Sequence, residues 1–199
     1  MKKLLLLSLL TTAISAPAFA ALKAGDTAPN FTIPASFAGK SQSFSLKESL
    51  KNGPVVVYFY PSAYTGGCNL QAHTFSVNSD KFTAAGAKII GVSLDSITRL
   101  NEFSADPEFC AGKITVGSDV DGKVAKAFDL AVREAAAGKL DTRGVEIDHG
   151  FAERTTFIVT PDGKIAATIG GLAPAENVKK TLEAVQKLAE AKKATNTKG

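Results

Sequence analysis

Cysteine is scarce in this sequence, which contains only Cys68 and Cys110 among its 199 residues. Their spacing excludes a Cys-x-x-Cys redox motif, and together with the two histidines they match no pattern typical of a zinc site. We therefore predict no metal and no cofactor. Two cysteines in an oxidising compartment can form a structural disulfide or act as a reactive pair, and spacing alone leaves both interpretations open.

Strong net charge is also absent. The formal net charge of +4 falls to +2 when Lys2 and Lys3 are left out with the rest of the first 20 residues, because that segment contains no acidic residue. No stripe of basic residues interleaved with aromatic ones is present, and the lysines near the C-terminus fit the solvated face of a helix. We therefore expect no nucleic-acid partner.

A hydrophobic run long enough to span a membrane is missing, since the apolar segment Leu4–Ile14 is shorter than the ~20 residues that a spanning helix needs. It follows two lysines and precedes an Ala-x-Ala ending at Ala20, an order typical of a Sec-type signal peptide. No cysteine lies near this site, which argues against a lipoprotein. We expect cleavage after Ala20, a single periplasmic or secreted domain formed by residues 21–199, and no membrane contact of the mature protein.

One short stretch in the first third of the chain carries the strongest signal. The apolar run Val55–Tyr60 has the length and composition of a buried strand, and Pro61 ends it because proline cannot donate to a sheet ladder. Gly66 and Gly67 permit a close approach of the backbone to a ligand. Cys68 then opens a predicted helix, where unpaired N–H groups and the positive end of the helix dipole favour thiolate over thiol. We predict a reactive sulfur here.

The rest of the chain alternates between helix and strand patterns. Residues 72, 75, 79 and 82 follow Cys68 on the same helix face, and Gly86 is the expected end of that helix. Further strands are predicted at residues 87–93, 114–116, 154–159 and 164–169, and further helices at residues 96–103, 124–128 and along the C-terminal segment that contains Val178, Leu182, Val185 and Ala189. Residues 132–149 show no clear period and are predicted to form a loop. This alternation predicts an α/β domain with a mixed central sheet flanked by helices.

In combination these motifs resemble the peroxiredoxin family. Pro61, Thr65 and Cys68 fill the family's P-x-x-x-T/S-x-x-C motif, Asp26–Phe31 is similar to its G-D-x-A-P-x-F opening, and Arg154–Phe157 looks like its arginine-bearing strand. The resemblance covers nearly all of the predicted domain. It implies a thioredoxin-like fold and similarity to the alkyl hydroperoxide reductase/thiol-specific antioxidant and bacterioferritin-comigratory-protein-like groups.

The resemblance also implies a role for each motif residue. Cys68 would be the peroxidatic cysteine, which attacks a peroxide oxygen as a thiolate and becomes a sulfenic acid. Arg154 and the helix N-terminus would stabilise the thiolate and the departing oxygen. The Thr65 hydroxyl would accept from the peroxide or donate to the thiolate, the N–H groups of Gly67 and Cys68 would line the pocket, and Pro61 would shield the sulfur from water.

Two positions depart from the family pattern. Gln71 stands where many relatives have a glutamate, so it can bind Arg154 but leaves its charge uncompensated. His73 stands where one subgroup carries its resolving cysteine, and we expect it to be a helix-surface histidine. Cys110 then remains as the candidate resolving cysteine, through a Cys68–Cys110 disulfide that requires local unwinding of the helix. An inert Cys110 in a one-Cys enzyme and an intermolecular bridge remain as alternatives.

We therefore predict a thiol-dependent peroxidase that reduces hydrogen peroxide or organic hydroperoxides and is recycled by an exported thioredoxin-like dithiol protein, as a monomer or homodimer. Two other functions compete with this interpretation. A thiol–disulfide oxidoreductase of the thioredoxin superfamily is disfavoured by the missing dithiol motif. An exported thioredoxin-like domain stapled by a permanent Cys68–Cys110 disulfide would lack peroxidase activity and resist reduction.

Overall fold

The computed structural model describes residues 21–196. The predicted signal peptide, residues 1–20, lies outside the described residues. None of the helices within residues 21–196 combines the length and the apolar character needed to cross a membrane.

The described residues are built around a mixed sheet, as the sequence predicts. The strands are β1 (Thr32–Phe37), β2 (Lys40–Ser45), β3 (Val55–Phe59), β4 (Lys88–Ser93), β5 (Thr115–Ser118), β6 (Val132–Arg133), β7 (Phe151–Ala152), β8 (Thr155–Val159) and β9 (Ile165–Gly170). Seven of them form one sheet in the order β2-β1-β5-β4-β3-β8-β9. In this sheet β3 lies between the parallel strand β4 and the antiparallel strand β8.

Helices cover both faces of this sheet. They are α1 (Leu46–Leu50), α2 (Gly66–Val77), α3 (Ser79–Ala84), α4 (Ile97–Ala105), α5 (Lys123–Ala127) and α6 (Pro174–Asn196). One face carries α1 and α5, and the other carries α2, α3, α4 and α6. On the second face α2 packs directly against α6. The C-terminal helix and the β8–β9 hairpin are thus both confirmed.

Strand β3 belongs to the core on both of its sides. Its side chains point alternately to opposite faces of the sheet, so that Val55, Val57 and Phe59 enter one hydrophobic cluster and Val56 and Tyr58 enter the other. None of the five is more than 1% exposed. Burial of each such side chain stabilises the fold by roughly 1.5–3 kcal/mol. Core packing therefore holds the end of β3 in place, and with it the start of the segment that follows.

The helix that begins before Cys68 is shorter than predicted. The sequence pattern predicts one helix that ends at Gly86, but the backbone leaves the helical conformation at Asn78, where φ is −104° and ψ is 5°. The Asn78 side-chain amide donates to the Thr74 carbonyl at 2.9 Å, and such local hydrogen bonds compete with helix continuation. The helix face itself was predicted correctly, since Cys68 and Phe82 are both buried.

The prediction of a loop at residues 132–149 is correct for most of that segment. Its first two residues instead form β6, which pairs with β7 in a separate two-stranded sheet. An isolated antiparallel β-bridge between Leu140 and Glu146 closes the middle of the segment into a short loop. Two-residue strands carry too little periodicity to be predicted from sequence.

Candidate active site

The turn after β3 holds the predicted motif. Thr65 occupies the N-cap of α2 in an extended conformation, with φ at −113°, and its side chain does not cap the helix. Tyr64 adopts a left-handed backbone with φ at 60°, a conformation that costs a non-glycine residue about 1 kcal/mol. Thr142 holds this strained position, because its N–H and its hydroxyl each donate to the Tyr64 carbonyl at 2.8 Å.

Cys68 and Arg154 meet at the start of α2. Cys68 is the third residue of the helix and is only 2% exposed. The Arg154 Nη2 atom lies 3.3 Å from the Cys68 Sγ atom. A Cβ atom at Gly67 would lie 3.2 Å from the same Nη2 atom, so the missing side chain there gives the guanidinium room beside the sulfur. The predicted pairing of the arginine with the cysteine is thus present in the structure.

A chain of neutral side chains fixes the other edge of the guanidinium. Arg154 Nη1 donates to Gln71 Oε1, as predicted for this position. Gln71 Nε2 donates to Asn177 Oδ1 at 3.1 Å, and Thr156 donates to the same oxygen at 2.8 Å. The Asn177 amide in turn donates to the Ile169 carbonyl at 2.9 Å. Gln71 therefore accepts on one side and donates on the other, and a glutamate could do only the first.

The hydroxyl of Thr65 has a defined orientation. It donates to the Ser62 carbonyl at 2.8 Å, so its proton is engaged and its lone pairs are left to accept a hydrogen bond. The Cys68 N–H, which was expected to line the pocket, donates to the Thr65 carbonyl at 2.9 Å. Pro61 lies two residues after the end of β3 and is half-buried.

Cys110 lies in the turn between α4 and β5 and is fully buried. It belongs to the same hydrophobic cluster as Cys68, and both cysteines are free thiols. Burial, with a smaller contribution from the charge of Asp106, raises the pKa of the Cys110 thiol far above its usual value. His73 is exposed, and its Nδ1 atom lies 2.9 Å from the Glu108 carbonyl oxygen, so α2 is tied to the turn that carries Cys110.

A buried charged group beside the motif was not predicted from the sequence. Asp95, two residues after the end of β4, is fully buried. Its carboxylate accepts from the Ser62 hydroxyl at 2.9 Å and from the Ala63 N–H at 2.8 Å, and His149 Nε2 lies 2.8 Å from it. The position of Asp95 at the carboxyl end of a buried strand is a signal that could have drawn attention to it. His149 gave no signal, because it lies in a segment without a periodic pattern.

Comparisons with known proteins show which family the chain is similar to. A family model described as "AhpC/TSA family" matches residues 24–168. Peroxiredoxin Bcp from Escherichia coli (strain K12) is 33% identical over 144 residues, which are 72% of this chain and 83% of that protein.

Solved structures agree as well. The crystal structure of peroxidoxin BcpB from Mycobacterium tuberculosis matches with a TM-score of 0.69 and 27% identity over 83% of this chain and 97% of that chain. Bacterioferritin comigratory protein from Xanthomonas campestris matches with a TM-score of 0.62 and 28% identity over 79% and 92% of the two chains. These neighbours confirm the predicted thioredoxin-like fold.

The dual role of Gln71 predicts that a glutamate would not be tolerated well at this position. Gln71→Glu places a carboxylate oxygen against Asn177 Oδ1, and two opposed acceptors leave a buried hydrogen bond unmade. We expect the free energy of unfolding to fall by about 1–3 kcal/mol, measured by urea denaturation of the reduced protein. Gln186→Glu, at an exposed position of α6, is the matched control and should change stability by less than about 0.5 kcal/mol. A Gln71→Glu protein as stable as the wild type would contradict the role assigned to Asn177.

Proposed function

Because this chain belongs to the AhpC/TSA family and is a peroxiredoxin, its activity is the thiol-dependent reduction of peroxides, and we propose that Cys68 is the thiol that reacts. One observation carries the proposal. The Cys68 sulfur lies at the N-terminus of α2 with the Arg154 guanidinium 3.3 Å away. A cation and a helix N-terminus at one sulfur both favour the thiolate, which is the nucleophilic form of cysteine.

The proposed reaction begins with attack of the Cys68 thiolate on one oxygen of the peroxide. The S–O bond forms as the O–O bond breaks, and the departing oxygen leaves with the bonding pair and takes up a proton to give water or an alcohol. Cys68 is then a sulfenic acid. The Arg154 guanidinium faces the charge that develops on the oxygens, and fixed donors of this kind stabilise a transition state without reorganisation. The Thr65 oxygen, whose proton is engaged by Ser62, accepts the hydrogen bond of the peroxide O–H group.

The burial of Cys68 favours small substrates. Only 2% of the Cys68 residue is exposed, so we propose hydrogen peroxide and small organic hydroperoxides as the substrates. The Xanthomonas campestris relative was studied for its alkyl peroxide reduction activity, which supports this class of substrate.

Two substitutions test the roles of Cys68 and Arg154. Cys68→Ser should abolish peroxide consumption, because no other group forms the sulfenic acid. Arg154→Lys keeps a charge but cannot bind Gln71 and the sulfur with one planar group. We expect its second-order rate constant with hydrogen peroxide to fall by about 10²-fold or more, measured by stopped flow. Arg133→Lys, an exposed arginine in β6, is the matched control and should retain the wild-type rate. Peroxide reduction by Cys68→Ser at the wild-type rate would refute the proposal.

We propose that Cys110 resolves the sulfenic acid within the same chain. Its sulfur would attack the Cys68 sulfur, the S–S bond would form as the S–O bond breaks, and the hydroxyl group would leave as water with the thiol proton. Burial holds Cys110 in its protonated form, and a disulfide requires Cα atoms within ~7 Å of each other. We propose that the start of α2 unwinds locally to bring the two sulfurs together.

Mass spectrometry under non-reducing conditions tests this resolution step. After one equivalent of peroxide, wild-type monomers should contain a Cys68–Cys110 disulfide, whereas Cys110→Ser should keep a sulfenic acid that reacts with dimedone. Cys110→Ala is the matched control, because it preserves the apolar character of the site and should give the same sulfenic acid. A disulfide-linked dimer, or a wild-type protein that also keeps its sulfenic acid, would contradict intramolecular resolution.

We further propose that the protein acts outside the cytoplasm. The support is the sequence of residues 1–20, with its two lysines, its short apolar run and its Ala-x-Ala ending. The reductant of the disulfide would then be an exported dithiol protein of thioredoxin type, because the cytosolic thiol pool lies across a membrane.

Expression of the full chain in a bacterial host tests the export proposal. The mature protein should be found in the osmotic-shock fraction with Ala21 as its first residue, measured by intact-mass spectrometry. Ala18→Asp, which introduces a charge into the Ala-x-Ala site, should leave the leader attached, whereas Ala21→Ser should be processed normally. A wild-type chain that keeps Met1 or its leader and stays in the cytosolic fraction would show that the protein is not exported.

A further inference from the structure

The buried carboxylate of Asp95 is surrounded by donors on every side. Its Oδ2 atom accepts from the Ala63 N–H at 2.8 Å and from the Ser93 hydroxyl at 2.6 Å. Its Oδ1 atom accepts from the Ser62 hydroxyl at 2.9 Å and lies 2.8 Å from His149 Nε2. We call Asp95, His149 and the two loop residues that they contact, Ser62 and Ala63, the Asp95 cluster.

The hydrogen bonds of His149 define its protonation state. The Nδ1 atom lies 2.8 Å from the Gly150 carbonyl oxygen, and the Nε2 atom lies 2.8 Å from the Asp95 carboxylate. Both partners are acceptors, and a neutral imidazole has only one N–H group to donate. The ring that satisfies both contacts is therefore the imidazolium. Burial by itself would lower the pKa of His149, but the hydrogen bond and charge of Asp95 outweigh it and raise that pKa above its usual value.

The remaining charges around the Asp95 cluster balance only when His149 carries its proton. Arg99 on α4 forms ion pairs with Asp95 at 2.9 Å and with Asp141 at 2.8 Å. Arg143 pairs with Asp141 and with Glu102. The cations are Arg99, Arg143 and His149, and the anions are Asp95, Asp141 and Glu102. If His149 lost its proton, these six groups together would carry one excess negative charge. Asp95 is the most deeply buried of the three carboxylates.

The two phenols near this group do not change that balance. Burial raises the pKa of Tyr60 well above its usual value, with the charge of Asp95 adding to the effect. Burial raises the pKa of Tyr64 to about 12. Both phenols are therefore neutral between pH 6 and 9, which leaves His149 as the group of this set whose charge we expect to change with pH.

The Asp95 cluster is connected to the reacting atoms through the loop. Asp95 binds the Ser62 side chain and the Ala63 backbone, and the Ser62 carbonyl accepts the hydrogen bond that orients Thr65. Thr65 in turn accepts the Cys68 N–H with its carbonyl. We propose that Asp95 and His149 are positioning residues for peroxide reduction, because their ion pair holds the loop that presents Thr65 to the peroxide. The inference rests on the proposed function of Cys68.

The pH dependence follows from the direction of the pKa shift. A histidine whose pKa is raised on folding contributes stability that is complete below its unfolded pKa, ~6.5, and is lost as the pH rises through its folded pKa. Above that pH the neutral ring has one N–H group for two acceptors, so it cannot satisfy both Gly150 and Asp95, and it no longer offsets the charge of Asp95. The hold on Ser62 and Ala63 should therefore weaken in alkaline solution.

Peroxide kinetics from pH 6 to 9 test the proposal, because the chain has only two histidines. At pH 6.5 His149→Gln should react with hydrogen peroxide about tenfold more slowly than the wild type, since misplacing reacting groups by ~1 Å can cost on the order of 10²-fold. The ratio of the wild-type rate to the variant rate, each normalised to reactive Cys68, should fall toward one as the pH rises through the folded pKa of His149, where the wild type loses its own ion pair. His73→Gln, at the exposed histidine of α2, should match the wild type throughout.

The pH dependence of this rate ratio distinguishes a positioning role of His149 from a purely structural one. A ratio that does not change with pH would mean that His149 acts only on stability, and a ratio of one at pH 6.5 would mean that it has no role in the reaction. Either result overturns the inference. Peroxide reduction by Cys68→Ser at the wild-type rate would instead overturn the proposed function, so the two failures are distinguishable.

A second measurement does not require the His149 variant to fold. Nitrogen NMR of the ring in His73→Gln, where His149 is the only histidine left, should show both ring nitrogens protonated at pH 7. A neutral ring at that pH would refute the ion pair directly.

Discussion

The contact between the Arg154 guanidinium and the Cys68 sulfur unites residues 86 positions apart in the chain. Antiparallel pairing makes it possible, because Phe59 at the end of β3 lies opposite Thr155 at the start of β8. The arginine therefore enters the site directly beside the turn that leads to the cysteine. Since a guanidinium is a rigid planar fork, binding one of its edges to Gln71 aims the other edge at the sulfur.

Local patterns predicted the elements of this site, but not the interactions that hold them. The run Val55–Tyr60 and the motif around Cys68 indicated a strand, a turn and a helix in the right order, because burial and turn chemistry leave a local periodicity. The break at Asn78 depends on one side-chain hydrogen bond, which leaves no such period. The pairs Gln71–Asn177 and Asp95–His149 are 106 and 54 residues apart, and a hydrophobic pattern shows that a position is buried without showing its partner.

The two cysteines occupy opposite kinds of surroundings within one hydrophobic cluster. Cys68 faces a cation at a helix N-terminus, whereas Cys110 is enclosed by apolar side chains that favour its neutral form. In the proposed cycle only the first thiol has to be reactive at rest. The turn that carries the second includes Ala111 in a left-handed conformation, with φ at 51°. Opening of this turn would release about 1 kcal/mol of backbone strain, which partly offsets the cost of exposing the core.

Gln71 has a further consequence for the electrostatics of turnover. The ion pairs among residues 21–196 do not include Arg154, so in the proposed cycle the thiolate itself is the counter-ion of the guanidinium. Oxidation converts that sulfur into an uncharged sulfenic acid and leaves the arginine without an anionic neighbour. The net charge of the Cys68–Arg154 pair then alternates within every catalytic cycle. The pair is neutral in the reduced enzyme, before a peroxide reacts, and positive in the oxidised enzyme, before a reductant reacts. A partner with acidic residues around its thiols would be attracted to the second state more strongly than to the first.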